Sequence, residues 1–73
     1  RNNSQTIVLP RQVAMYLART LTGASYPQIA RKFGKHYSTV IYAYDKIEEE
    51  RGHDKSLDAL IDGFIKSIKK SVD

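Results

Sequence analysis

When residues 38 to 51 are wound as a helix at about 100° per residue, Ser38, Thr39 and Tyr42 fall on one arc, with Lys35 and Lys46 flanking them. Val40, Ile41, Tyr44 and Ile47 take the opposite arc. Two short hydroxyls, a phenol and nearby ammonium groups suit the major groove of a duplex, where donors and acceptors must approach base edges without long aliphatic chains in the way. Glu48, Glu49 and Glu50 follow on the same segment. They repel phosphate, so only the first turns of this helix can enter a groove, and its end must point away. Ser38 and Thr39 are also common helix-starting types, and Ser38 could equally serve as an N-cap.

Other chemistries have little to work with. The chain has no cysteine, which excludes disulfides, thiolate metal sites and cysteine nucleophiles, and fits a reducing cytoplasm. His36 and His53 stand on either side of a helical segment without cysteine companions, so no metal site is expected. No phosphate-binding loop and no set of nucleophile, base and orienting group can be found. The expectation is a segment that is not an enzyme and needs no cofactor. No apolar run approaches the roughly 20 residues that cross a bilayer.

The elements that must position the helix 38–51 are readable from local signals. Residues 1 to 9 open polar and read as a flexible lead-in; the start at Arg1 suggests a segment of a larger protein whose upstream domain is missing. Pro10 suits a first helical position, and Ala14, Leu17, Ala18 and Leu21 follow at the spacing of one helical face, predicting a helix over 10–22 ended by Gly23. Ser25 and Gln28 form a capping box before a short helix over 26–33, with Ile29, Ala30 and Phe33 inward and Gly34 as the stop. The third helix starts at Tyr37 or Ser38 and ends at Gly52. Ser56 is expected to cap a fourth, whose stripe of Leu57, Leu60, Ile61, Phe64, Ile65, Ile68 and Val72 reads as the domain's own core. Tyr16 and Tyr44 are expected in the core, and Tyr26 at a helix contact. The class is all-α, with one domain over 10–73.

Ala30, Gly34 and Val40 carry the spacing of a helix-turn-helix: a small residue where two helices cross closely, a glycine for the turn and a branched residue to anchor the second helix. Charge supports a polyanion partner. Residues 1 to 46 hold seven Lys or Arg against the single acid Asp45, a balance of +6, whereas residues 47 to 73 hold five basic against seven acidic residues, a balance of −2. One basic half is what a protein needs if one face meets nucleic acid. Arg31 and Lys32, outside the second helix, could be solvating charge alone.

These residues resemble the C-terminal DNA-binding domain of the bacterial replication initiators of the DnaA family. "VLPRQVAMYLARTLTGASYPQIARKFG" followed by "STVIYAYDKI" is similar to the family's P-R-Q-x-A-M-x-L, S-x-P-x-I-x-x-x-F-G and T-T-V-x-x-A-x-x-K-I patterns, well over residues 7 to 47 and loosely beyond. The resemblance implies a four-helix, Trp-repressor-like fold, binding of double-stranded A·T-rich boxes of the TTATNCACA type at replication origins, and an upstream ATPase domain that binds ATP. It further implies that Arg11 and Gln12 lie near DNA, that Arg19 contacts phosphate, that Tyr26 and Pro27 bring free N–H groups to the backbone, and that Ser38 and Thr39 take the places of two base-reading threonines.

Four positions depart from the family. Gly34-Lys35-His36-Tyr37 is one residue shorter than the usual G-G-R-D-H turn, which puts Tyr37 where a base-contacting histidine is usual and His36 opposite an aspartate. Tyr42 replaces a second histidine. The lead-in arginine that enters the minor groove is matched by Asn3, with Arg1 nearby. A transcriptional regulator or transposase module of the same motif, and a protein-interaction module docking through helix four, are the alternatives. The replication family binds boxes as single domains, so a monomer is expected, in the cytoplasm beside the nucleoid.

Overall fold

The computed structural model describes the backbone of residues 4–72 and the side chains of residues 9–71. Four helices follow one another: α1 (Ser4–Thr22), α2 (Tyr26–Phe33), α3 (Tyr37–Arg51) and α4 (Lys55–Val72), with no strand among the described residues. The all-α expectation holds. α3 runs through the middle and packs on each of the other three.

Local signals account for the two turns around α2. Ser25 accepts from the Gln28 N–H at 3.2 Å and the Gln28 side chain accepts from the Ser25 N–H at 2.9 Å, which is the expected capping box closed in both directions. Gly34 ends the helix with φ +66° and ψ +36°, a left-handed conformation that costs glycine nothing, and its N–H together with that of Lys35 closes on the last carbonyls of α2. Gly23 ends α1 in the same way at φ +71°.

Four expectations need correction. α1 begins at Ser4, so residues 4 to 9 are helix rather than lead-in, and Pro10 lies inside the helix instead of at its start. Residues 1 to 3 fall outside the described residues. A proline there withdraws only one helical donor, and its ring joins Leu9, Val13 and Ala14 on an apolar surface facing α4. The inward face of α1 is also rotated: Gln12, Met15 and Tyr16 are buried, whereas Ala14 is exposed and Leu17, Ala18 and Leu21 are half-buried. α1 is wedged between two apolar clusters, so it buries side chains on two arcs. Met15 joins Ile29, Ala30, Val40 and Ala43; Tyr16 joins Ile47 and Ile61.

The third and fourth corrections concern helix starts and the last stripe. His36 caps α3, its side chain accepting from the Ser38 N–H, so Ser38 sits inside the first turn. Asp54, not Ser56, starts α4: its carboxylate accepts from the Leu57 N–H at 3.0 Å, and its carbonyl from the Asp58 N–H at 2.9 Å. Among the described side chains of α4 only Ile61 is fully buried; Leu60, Phe64 and Ile68 are 53%, 41% and 40% exposed, and the side chain of Val72 lies outside the described residues. The stripe is therefore core on one edge and surface on the other, because α4 meets its neighbours along a single line. Leu57, Leu60 and Phe64 border an open groove of about 420 Å³ against Leu9, Pro10, Val13, Ala14 and Leu17 of α1.

Candidate nucleic-acid interface

Ala30 and Val40 are both buried in one cluster, and Gly34 makes the turn between them. This close crossing turns the opposite face of α3 outward. Lys35, His36, Tyr37 and Ser38 are exposed on the turn and first turn, Thr39 is half-buried, and Tyr42 is 61% exposed one turn on. The arc expected from the angular reading is thus an outer face of the molecule.

The first turn of α3 is held by a compact set of bonds. Nδ1 of His36 lies 3.2 Å from the Ser38 N–H donor nitrogen and 2.9 Å from Ser38 Oγ. The His36 ring also stacks on Tyr37, with centroids 4.5 Å apart and planes at 27°. Thr39 donates its N–H to the His36 carbonyl at 3.0 Å. Tyr37, 49% exposed, therefore stands on a ring that the helix cap itself fixes.

The expected helix-two contact is narrower than a row of free donors. Pro27 is exposed but has no N–H, the Gln28 N–H is taken by Ser25 Oγ, and the Ile29 N–H by the Ser25 carbonyl. Among the described residues, the Tyr26 N–H is the one donor of this first turn with no recorded acceptor, and so the one open to an incoming anion. Its ring is half-buried and lies under the Arg19 guanidinium at 4.6 Å.

Arg19 has a local task as well as a charge. It donates from Nη1 to the Ala24 carbonyl at 2.7 Å and reaches the Gly23 carbonyl at 3.5 Å, which braces the turn between α1 and α2. Its remaining guanidinium donors can still meet phosphate. Arg11 is half-buried on α1. Gln12 is only 7% exposed, so its side chain belongs to the interior and not to a groove-facing surface. Arg1 and Asn3, the positions matched to a minor-groove contact, lie outside the described residues.

The far end of α3 carries carboxylates beside the remaining site residues. Tyr42 and Lys46 share their patch with Asp45, Glu49 and Glu50, and Lys46 pairs with Glu50 at 4.0 Å. Phosphate is unwelcome there. Glu48 is drawn away, accepting from the Tyr16 hydroxyl at 3.0 Å and the Tyr44 hydroxyl at 3.3 Å.

Arg51, which sequence reasoning passed over, ties this end to α4. It donates from Nε to Asp58 at 2.6 Å, from Nη2 to Asp62 at 3.4 Å and from Nη1 to the Tyr16 hydroxyl at 3.0 Å. The hydrogen bond it donates to Asp58 outweighs partial burial and holds the guanidinium well above its ordinary range. Burial pushes the Tyr16 and Tyr44 phenols up, and the Glu48 carboxylate pushes them the same way. The only sequence signal for this node was an arginine placed seven residues before one aspartate and eleven before another across a glycine turn.

Among the described residues no cluster of three potential metal ligands occurs, and no helix is long and apolar enough to cross a membrane.

Known proteins resemble the chain along almost all of its length. The pattern of the family described as the bacterial dnaA protein helix-turn-helix matches residues 1–47. A chromosomal replication initiator protein DnaA from Caldanaerobacter subterraneus subsp. tengcongensis is 49% identical over 69 residues, covering 94% of this chain and 16% of that protein. The DnaA of Levilactobacillus brevis is 45% identical over 71 residues, covering 96% and 16%. That of Geobacter sp. strain M21 is 43% identical over 65 residues, covering 88% and 14%. The chain thus spans about one sixth of the length of these relatives. No solved structure gives a significant match.

Proposed function

The chain belongs to the bacterial DnaA helix-turn-helix family, and on that premise we propose that it is the part of a replication initiator that binds double-stranded DNA at origin boxes of the TTATNCACA type. The first turns of α3 enter the major groove, with Ser38, Thr39, Tyr37 and Tyr42 towards base edges. Lys35, Arg11, Arg19 and the Tyr26 N–H meet phosphates on either side, which supplies most of the affinity and little of the selectivity. Lys46 is held nearer the acidic end and contributes less. The segment acts as a monomer without cofactor in the bacterial cytoplasm; nucleotide chemistry belongs to the rest of the full-length protein.

The single observation that carries this reading is the exposed first turn of α3 set against a buried Ala30–Val40 crossing. Fluorescence anisotropy with a labelled box duplex and a scrambled duplex of equal composition tests it, over a series of salt concentrations. Affinity should fall steeply with salt for both, and the box should be preferred by ten- to a thousand-fold or more. Equal affinity for both duplexes, or none for either, would refute it.

A further inference from the structure

In the first turn of α3, His36 Nδ1 lies within hydrogen-bond distance of both the Ser38 backbone N–H and Ser38 Oγ. We propose that His36 makes Ser38 an acceptor-only reader of the major groove, so that the domain selects an amino-bearing base, adenine or cytosine, over guanine or thymine at one position of its site. This rests on the DNA-binding reading above and adds a base preference to it.

Nδ1 of His36 accepts the Ser38 backbone N–H. An accepting Nδ1 carries a lone pair and no hydrogen, so the neutral ring bears its proton on Nε2. Ser38 Oγ lies 2.9 Å from the same Nδ1. With no hydrogen on the nitrogen, the one between these atoms is the hydroxyl's, and Ser38 donates inward. The ring is held for this by its stack on Tyr37.

What Ser38 then presents outward is oxygen lone pairs alone, on an exposed side chain in the turn that the proposed function sets against a groove. In the major groove the exocyclic groups of adenine and cytosine are N–H donors, whereas those of guanine and thymine are carbonyl acceptors. An acceptor-only hydroxyl pairs with the first two and sets lone pair against lone pair with the others. An ordinary serine, free to rotate, accommodates all four. His36 is thus a positioning residue, acting on base choice through Ser38, while its Nε2–H remains available to a phosphate oxygen.

The tautomer can be read without DNA: nitrogen-15 NMR of the His36 ring at neutral pH should show the proton on Nε2, and a proton on Nδ1 would overturn the proposal. The base preference is read by selecting bound sequences from random duplexes with four proteins. The unaltered domain should favour A or C at one position by roughly two- to tenfold, the weight of one hydrogen bond. Ser38→Ala should flatten that position, and His36→Ala should admit G and T there, any change from loss of the Tyr37 stack falling at a different position. His36→Asn, whose Oδ1 can accept the same N–H and O–H, should restore the A or C preference, which loss of the cap alone would not predict. His36→Ala added to Ser38→Ala should change nothing further at that position. If the domain binds DNA with salt-sensitive affinity but the His36→Ala preference equals that of the unaltered domain, this inference falls and the DNA-binding reading stands. If no duplex is bound at all, both fall.

Discussion

In the proposed interface Thr39 reads bases and Arg19 holds the backbone, and the two roles are separable by measurement. Thr39 lies half-buried beside Ser38, anchored through its N–H to the His36 carbonyl, so its side chain is presented by a bonded first turn. Thr39→Ala should cost about 1–3 kcal/mol on a box duplex and less on a scrambled one. Equal losses in the two titrations would remove it from base reading. Arg19 needs two measurements, because its guanidinium braces the Ala24 carbonyl and covers Tyr26. Arg19→Ala should lower stability in urea by about 1–2 kcal/mol and flatten the salt dependence of DNA binding by about one unit. Arg19→Lys separates these effects: it keeps the charge and the salt slope but loses the planar fork, and with it much of the stability. A lysine variant with a flattened slope would contradict this. The exposure of Tyr42 followed from angle alone, because one helix in isolation fixes it. The burial of Gln12 and the double duty of Arg19 did not, since both depend on where neighbouring helices lie.

Helix boundaries show where local chemistry suffices. The Ser25–Gln28 box and the left-handed Gly34 were legible because each is decided within a few residues. Gly34→Ala should therefore destabilise the domain by roughly 1 kcal/mol, through backbone conformation only, since a Cβ at that position would meet nothing within 4 Å. A thermal melt measures it, and an unchanged midpoint would show that the turn relaxes at no cost. The start of α3 was less legible because histidine is an uncommon cap, and two plausible hydroxyl residues followed it. At α4 two candidates stood close together, and Asp54 outdid Ser56 by reaching the Leu57 N–H with a carboxylate at the positive end of the helix. Periodicity could identify the α4 stripe but not which edge of it would be covered. The answer lay in a line of contact set by Tyr16, Ile47 and Ile61, drawn from three different helices.

At the scale of the whole molecule, the basic part proposed to meet DNA and the acidic end of α3 are joined by a polar and aromatic chain. Arg19 lies over Tyr26, Tyr26 meets Tyr44 edge-on at 6.3 Å, Tyr44 stacks on Tyr16 at 4.9 Å, and Arg51 bonds the Tyr16 hydroxyl and two α4 carboxylates. With its two small buried clusters the fold has little stability to spare, so this series of contacts should govern how the fold responds to pH. Burial first, and the Glu48 carboxylate next, raise the Tyr16 phenol above its unfolded value near 10, and Tyr44 moves the same way. A raised value means that the folded state holds its proton longer than the unfolded one. The resulting stability is fully present below pH 10 and is lost as pH rises through the raised values. Chemical unfolding followed between pH 8 and 12 should show that decline. Tyr16→Phe should be less stable by about 1 kcal/mol at pH 8, having lost its bonds to Glu48 and Arg51, yet fall less steeply above pH 10. Parallel curves for the two proteins would show that the alkaline limit is set elsewhere, and that the Tyr16 hydroxyl is a hydrogen-bonding group without a role in the pH response.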